Sequence, residues 1–400
     1  MPNAGWNAAV ADALMDRRDA SAFRVRQSVV AVDATHVEVA GRRLVNFASN
    51  DYLGLTHHPR VVAAFTGTAG VGSGSAALVT GHTTDHAIAE AALARWKGTA
   101  AAVLLASGYA ANAAAVGTLA AVGRRKGTVR FLIDKLSHAS LVDAVRVATS
   151  AGCTYRVFPH NGLAKLRRLL AEADRDELQV VVTESIFSMD GDAADLPGLA
   201  ELRERFGFAL LLDEAHAAGV YGPAGSGLAA ELSLSTSVDL SVVTLSKAVG
   251  VVGGAVCGSV DWVDAVVNFG RPYVFSTSLP PAVAAAATAA IGVMADEPDR
   301  QARVRRLARH VRDRLTAAGF SLPPGDSPIV PVVLGHASAT LLAAERLRDA
   351  GFLVAAIRPP TVARGTSRLR MTLSCEHTDA EVEALLAAVT SITPPTASSA

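Results

Sequence analysis

Through the middle of the chain one hydrophobic pattern recurs: a short run of β-branched residues and leucines, a polar turn, then apolar positions at helical spacing. It occurs in "VRFLIDKLSHASLVDAVRVATSAG", in "LQVVVTESIFSMDG" continued by "LPGLAELRERFG", in "FALLLDEAHAAG" and in "LSVVTLSKAVG". Strands apolar on both faces and alternating with helices predict a mostly parallel sheet covered on both sides. Upstream, Thr99 to Gly123 carries no charge and is long enough to span a bilayer. Ser107, Gly108, Tyr109 and Asn112 interrupt it, so the pattern predicts a buried strand "AAVLLA", a glycine turn and a buried helix "AANAAAVGTLAAVG" instead. Polar residues gather at the carboxyl ends of the predicted strands: Ser107–Tyr109, Asp134–His138, Glu184–Ser188, Asp213–His216 and Thr244–Lys247. Ligands of open α/β sheets bind outside those ends, so five of them predict one shared site.

After Pro280–Pro281 the pattern changes. "AVAAAATAAIGVMADEPDR" has almost no polar face and predicts a helix that is buried or lies at a subunit interface. In "RQARVRRLARHVRDRLTAAGF", Val304, Leu307, Val311 and Leu315 keep helical spacing. The seven arginines from Arg300 to Arg314 read as a solvated face whose aliphatic stems lie over the core. "SPIVPVVLG" predicts a strand, "ATLLAAERLRDAGF" a helix, and "RLRMTLSCEHT" a strand ending in the capping box Thr378-x-x-Glu381. The expected organisation is an N-terminal segment 1–45, a large α/β domain 46–290, a small α+β domain 291–392 and a disordered tail 393–400.

Composition adds little to this picture but excludes several classes. Four hundred residues fit two domains, and half of them are hydrophobic, ample for a core. Lys+Arg and Asp+Glu are both 37, so no global field draws the chain to nucleic acid or an anionic membrane. Cys153, Cys257 and Cys375 are far apart, which argues against a disulfide framework and for a reducing cytoplasm. The first twenty residues show no secretory signal.

Chemistry enters with Lys247, which follows the β-branched run "LSVVTL" among small, mostly apolar residues. Burial there disfavours its charged form unless the ammonium snorkels to the surface. Asp213 ends a strand after five apolar residues and needs a cationic partner or several donors, and His216 follows three residues later. Glu184, Ser188 and His138 stand at neighbouring strand ends. A metal would not require Lys247, and none of Asp213, Glu184, His138 and His216 belongs to a His-x-x-x-His or Cys-x-x-Cys pair. No glycine cradle precedes Lys247 and no Gly-x-Ser-x-Gly elbow occurs, which argues against a phosphate-binding Walker loop and a serine hydrolase.

One chemistry uses every part. A lysine of lowered pKa can form a Schiff base with the aldehyde of pyridoxal 5'-phosphate. That cofactor also needs a carboxylate at its ring nitrogen, a ring on its face, a donor at its phenolic oxygen, and hydroxyls and backbone N–H groups at its phosphate. Asp213, His138, His216 or Ser188, and Gly108–Tyr109 with Thr244 can fill those roles in that order.

The segments "NFASNDYLGL", "GSGSAALVTG", "SGYAAN", "DKLSHASL", "TESIFSMDGD", "DEAHAAGVYG", "TLSKAVGVVGG" and "FSTSLPP" resemble those of the α-oxoamine synthases. These are fold-type-I pyridoxal-phosphate enzymes that condense an amino acid with an acyl thioester, and the resemblance runs from about Asp12 to Ala388. It departs at "GRRKGTVRF", slightly longer than common, and at Ala77, where many members carry arginine. The resemblance implies that Lys247 holds the cofactor, Asp213 pairs with the pyridine nitrogen and His138 stacks on the ring. It places His216 and Ser188 at the phenolic oxygen, with Glu184 nearby in the cofactor site. It gives Gly108, Tyr109, Thr244 and Ser246 to the phosphate, with Thr277 reaching in from a second subunit of a homodimer. Asn50 and Arg370 would grip the amino-acid carboxylate, while Arg24 and Thr361 would contact the acyl substrate. "AIRPPTV" with "RLRMTLSCEHT" looks most like the members that take L-alanine and a pimeloyl thioester, carried by coenzyme A or a carrier protein. Sister enzymes that use glycine to make aminolevulinate or 2-amino-3-oxobutyrate are the alternative. A non-enzymatic scaffold is disfavoured by the intact set Lys247, Asp213, His138 and His216.

Overall fold

The computed structural model describes residues 3–20, 22–174 and 176–391, and the chain forms two compact units, Asn50–Arg305 and Met1–Ser49 with Arg306–Ala400. The first unit is built on a seven-stranded sheet. Its strands lie in the order Ala101–Leu105, Gly254–Gly258, Leu240–Thr244, Ala209–Asp213, Glu177–Glu184, Thr128–Asp134 and Thr154–Phe158. All pairings are parallel except those of Gly254–Gly258, which runs against both neighbours. The β-branched runs end up in the middle of this sheet, where Val242, Val243, Val181 and Leu211 are wholly buried, as strands covered on both faces must be. Thr99–Gly123 divides as the pattern predicts, into the strand Ala101–Leu105 and the helix Gly108–Gly123. Among the described residues no helix is long and apolar enough to cross a membrane.

The helical continuation expected after two of the strands is absent. Beyond Asp213 and beyond Thr244 the chain stays in turns. The reason is close packing of one turn on the other. A Cβ on Gly219, whose φ is +89°, would lie 2.3 Å from the Cβ of Ala248, so only glycine lets the Asp213 turn rest on the Lys247 turn. A buried ion pair fixes the same region from behind. Lys97, the last residue of the helix Thr84–Lys97, bonds Glu214 and the carbonyl of Ser226, and Glu214 also accepts from Ser241 Oγ at 3.1 Å and the Ala229 N–H at 3.1 Å. Removing one member of such a pair leaves an uncompensated buried charge, a loss of about 3–5 kcal/mol. The alanine-rich helix Pro281–Asp296 is buried, with Ala284, Ala286, Ala287 and Ala290 fully enclosed.

The second unit holds two small sheets. One orders Val29–Ala31, His36–Val39, Arg42–Asn46 and Phe352–Leu353; the other orders Ile329–Gly335, Ser367–Thr372 and Ala355–Ile357. The boundary between units falls inside the arginine-rich helix Asp299–Ala317, whose Val304, Leu307, Val311 and Leu315 are buried as their spacing predicts. Several arginines of that helix pair with acids, Arg305 with Glu231, Arg309 with Asp326 and Arg314 with Glu383. Arg312 departs from the solvated-face expectation. It is buried and donates from its two Nη atoms to the carbonyls of Pro323 and Ile329, which offsets much of the cost of taking a guanidinium out of water. The capping box is formed: Glu381 N–H donates to Thr378 Oγ1 at 3.2 Å and Thr378 N–H to Glu381 Oε2 at 2.8 Å. The tail expected from 393 lies outside the described residues.

His377 supplies a pH dependence for this unit. It is buried and stacked on Phe47 with ring centroids 4.0 Å apart, and it accepts the Ser374 N–H at Nδ1. Burial pushes its pKa down from 6.5 to about 4. The unfolded chain therefore takes up a proton that the folded chain refuses, and stability is lost as the pH falls from 6.5 towards 4. The loss should approach about 3 kcal/mol. Thermal melts across this range should show a flatter pH dependence for His377→Gln than for the unsubstituted chain. Parallel curves would discard the assignment.

Candidate active site

Lys247 lies three residues past the strand Leu240–Thr244, half-buried in its turn. Its ammonium does not snorkel away: Nζ sits 2.8 Å from His216 Nε2. His216 is buried in the turn after Asp213, and its Nδ1 is 2.7 Å from the hydroxyl of Tyr52, a side chain with no exposure at all. Tyr52 in turn reaches Asn50 Oδ1 at 3.2 Å. Asp213 and His216 thus stand three residues apart with different partners.

Asp213 is buried, and its acceptor atoms are met by two donors. Ala215 N–H reaches Oδ1 at 2.9 Å and Asn112 Nδ2 reaches Oδ2 at 2.7 Å. Asn112 comes from the helix Gly108–Gly123 and also donates to Ser140 Oγ at 2.9 Å. Ser140 Oγ is 2.8 Å from His138 Nδ1, so a continuous chain of polar contacts joins the carboxylate to the histidine. His138 is the N-cap of the helix Ala139–Ser150 and accepts the Ser140 N–H at Nδ1. Burial lowers its pKa, and the Lys247 charge adds to this against the pull of Asp213. The ring is therefore neutral at pH 7, with Nδ1 the acceptor and the proton on Nε2. Glu184, paired with Asp213 across adjacent strands, accepts the His138 N–H. Complete burial, and then the Asp213 carboxylate, hold its own carboxyl well above the usual range.

Past the edge strand Ala101–Leu105 the helix Gly108–Gly123 begins, where the Ser107 Oγ accepts the Ala110 N–H at 3.1 Å. A Cβ on Gly108 would lie 1.7 Å from Thr244 Oγ1, so glycine brings this helix N-terminus against the threonine hydroxyl. The other expected residues are placed less centrally. Tyr109 is exposed and donates its hydroxyl to Asp143 Oδ2 at 2.8 Å. Ser246 is exposed, and so is Thr277, whose backbone bridges to Ala76. Ser188 is buried in the loop after the strand Glu177–Glu184. Arg24, Thr361 and Arg370 belong to the other unit, where Arg24 Nη2 donates to Thr361 Oγ1 at 3.0 Å and Arg370 is buried on the strand Ser367–Thr372.

Three members of the network carried no assigned role in the sequence reading: Tyr52, Asn112 and Ser140. Asn112 had a signal, being a lone amide inside an alanine-rich apolar helix, where a buried polar group must find a partner. One His-x-x-x-His spacing does occur, at His82 and His86, outside the residues weighed for metal. His82 pairs with Glu90 at 2.8 Å, while His86 caps its helix at Thr83 and contacts the Leu279 carbonyl at 2.9 Å. Among the described residues no group of His, Cys, Asp and Glu could hold a metal ion.

The arrangement fits pyridoxal phosphate: a half-buried amine, a buried carboxylate oriented by two donors, a neutral imidazole beside it, and a helix N-terminus closed on a hydroxyl by a residue that tolerates no Cβ. Comparison with known proteins agrees. The sequence matches the family described as aminotransferase class I and II over residues 42–389, and the chain belongs to that family. The fold is that of the fold-type-I pyridoxal-phosphate transferases. A serine palmitoyltransferase from S. paucimobilis, solved with a bound pyridoxal-phosphate–myriocin adduct, superposes with a TM-score of 0.88 at 29% identity, covering 97% of each chain. In sequence the chain is 47% identical to an 8-amino-7-oxononanoate synthase of Anaeromyxobacter dehalogenans, over 90% of this chain and 88% of that one. It is 41% identical to an enzyme of the same name from Geobacter sulfurreducens, over 96% and 97%.

Proposed function

We propose that the chain catalyses the pyridoxal-phosphate-dependent, decarboxylative condensation of L-alanine with a pimeloyl thioester. The products are 8-amino-7-oxononanoate, carbon dioxide and free thiol, a step of biotin biosynthesis. The observation that carries this reading is near-complete coverage of relatives bearing that name, joined to a lysine amine held 2.8 Å from His216 on the turn beside the Asp213–Asn112 pair. When bound, the cofactor supplies an electron sink for the bonds broken at the amino acid's α-carbon. Lys247 holds the cofactor and moves the α-proton. Asp213, oriented by Asn112 and the Ala215 N–H, keeps a proton at the cofactor's ring nitrogen. His138 presents its neutral ring to the cofactor's face, and His216 with Ser188 serves the phenolic oxygen. The helix N-terminus at Gly108–Tyr109, with Thr244 and Ser246, takes the phosphate. Asn50 and Arg370 are assigned to the amino-acid carboxylate, which fixes the bond to be broken relative to the ring.

Arg24 and its partner Thr361 are assigned to the acyl group, whose far carboxylate a guanidinium recognises through paired hydrogen bonds. Thiol release should be measured with alanine, glycine and serine against pimeloyl, succinyl, acetyl and palmitoyl thioesters. Alanine differs from glycine by one methyl group, which a pocket distinguishes by roughly 10–200-fold. Alanine with the pimeloyl thioester should be fastest; glycine with succinyl or acetyl groups winning would move the chain to a sister activity. In the same assay Arg24→Ala should weaken use of free-acid pimeloyl more than of an uncharged acyl chain of equal length. Equal losses would make Arg24 structural.

The assembly is assigned as a homodimer in which Thr277 serves the partner's site. In support, the unit that carries the sheet exposes large apolar side chains, Val71 at 99%, Val79 at 75% and Phe275 at 71%, near the segment that bears Thr277. Sedimentation at the mass of a single chain would remove this assignment. The three buried cysteines suit work in a reducing cytoplasm.

A further inference from the structure

We propose that His160 is a positioning residue that holds the loop bearing His138 and the loop bearing Ser188 in fixed register from behind the site. The proposal rests on the reading of those two residues as cofactor contacts.

His160 follows the edge strand Thr154–Phe158, and its imidazole bridges two carboxylates from different loops. Nδ1 lies 3.2 Å from Asp134 Oδ1 and Nε2 lies 2.7 Å from Asp192 Oδ2. Carboxylates accept, so both ring nitrogens donate and the ring is an imidazolium with no tautomer to choose. Burial opposes that charge, but the hydrogen bonds to Asp134 and Asp192 outweigh it and push the pKa up to about 10. Phe187 meets the ring edge-on with centroids 4.3 Å apart.

Each carboxylate is tied into the loop it serves. Asp134 is buried and accepts the N–H of Leu136 at 2.8 Å and of Asn161 at 3.0 Å, fixing the start of the loop that leads to His138. The backbone of Asp192 accepts the Phe187 N–H at 2.9 Å and so closes the turn that contains Ser188. Asn161 adds a bond from Nδ2 to the Ala193 carbonyl at 2.9 Å. His138 donates its N–H to Glu184 at the root of the second loop, so the loops meet at the site and are clamped behind it. His160 touches neither cofactor-facing side chain and acts through the backbone that carries them.

The test compares His160→Gln, Asp192→Asn and His138→Ala with the unsubstituted holoenzyme, reading the dissociation constant for pyridoxal phosphate, the circular dichroism induced in the bound cofactor, and the melting temperature. Both clamp variants should bind the cofactor roughly tenfold or more weakly, with an altered induced signal, the scale on which losing an outer supporting partner weakens a ligand site. Lower melting temperatures with unchanged affinity and signal would show a merely structural bridge and overturn the proposal. If His138→Ala leaves affinity and signal untouched, the assignment of His138 fails instead, and the two failures are distinguishable. The unsubstituted chain provides a check that needs no variant. The His160 ring should stay protonated to about pH 9 by nuclear magnetic resonance, and titration near the ordinary value of about 6.5 would show that the clamp does not form.

Discussion

Replacing Lys247 with alanine should abolish turnover, lowering kcat by roughly four to six orders of magnitude, the range found when a residue central to covalent catalysis is deleted. The expectation rests on two tasks falling to one amine. Lys247 is the lysine whose Nζ lies 2.8 Å from His216 Nε2, on the turn that packs through Ala248 against the Asp213 turn. On the proposed reading it would both hold the cofactor and move the α-proton, and neither His216 nor the Tyr52 behind it can form the same bond to an aldehyde. The side chain is only half-buried, so its loss should leave the fold intact. Borohydride reduction of the unsubstituted holoenzyme followed by peptide mapping gives the direct check. Pyridoxal should be fixed to Lys247 and the yellow colour lost. A label on any other lysine would end the assignment.

Asp213→Asn should slow exchange of the amino acid's α-proton by about 10⁴, the scale on which an acid-to-amide change beside a catalytic histidine acts in a hydrolase triad. An amide in this place can present a donor to the cofactor's ring nitrogen but cannot keep a proton on it. The same substitution has a structural consequence that can be read separately. Asp213 accepts from Ala215 N–H through one oxygen and from Asn112 Nδ2 through the other, and asparagine has a single oxygen. One buried donor is left unmet, at about 1–3 kcal/mol. The variant should therefore fold with a reduced melting temperature and almost no exchange. Exchange near the normal rate in a folded variant would remove Asp213 from the mechanism.

Much of this site lies in plain view along the chain because strand ends are written locally. Five apolar residues ahead of Asp213, or the run "LSVVTL" ahead of Lys247, fit strands buried on both faces, and the first polar residues after them then emerge at the carboxyl ends of those strands. The direction of those strands follows once helices alternate with them, and with it the side on which the polar residues collect. The capping box at Thr378 and Glu381 is legible for the same reason, since both members lie within one helical turn.

What the chain does with its polar groups once they meet was decided only in three dimensions. Asn112 stands 101 residues from Asp213, and Tyr52 stands 164 residues from His216. No periodicity links such positions; packing of the helix Gly108–Gly123 against the sheet does. The antiparallel strand Gly254–Gly258 carries two glycines and little β-branched weight, and it forms because two neighbours leave their edges open to it. The turns after Asp213 and Thr244 contain residues that could have continued as helix, and close contact between Gly219 and Ala248 keeps them from doing so. Spacing set where each reactive group could emerge. Which partner orients it was settled by distant segments competing to satisfy buried donors and acceptors, a condition that exists only after the core has closed.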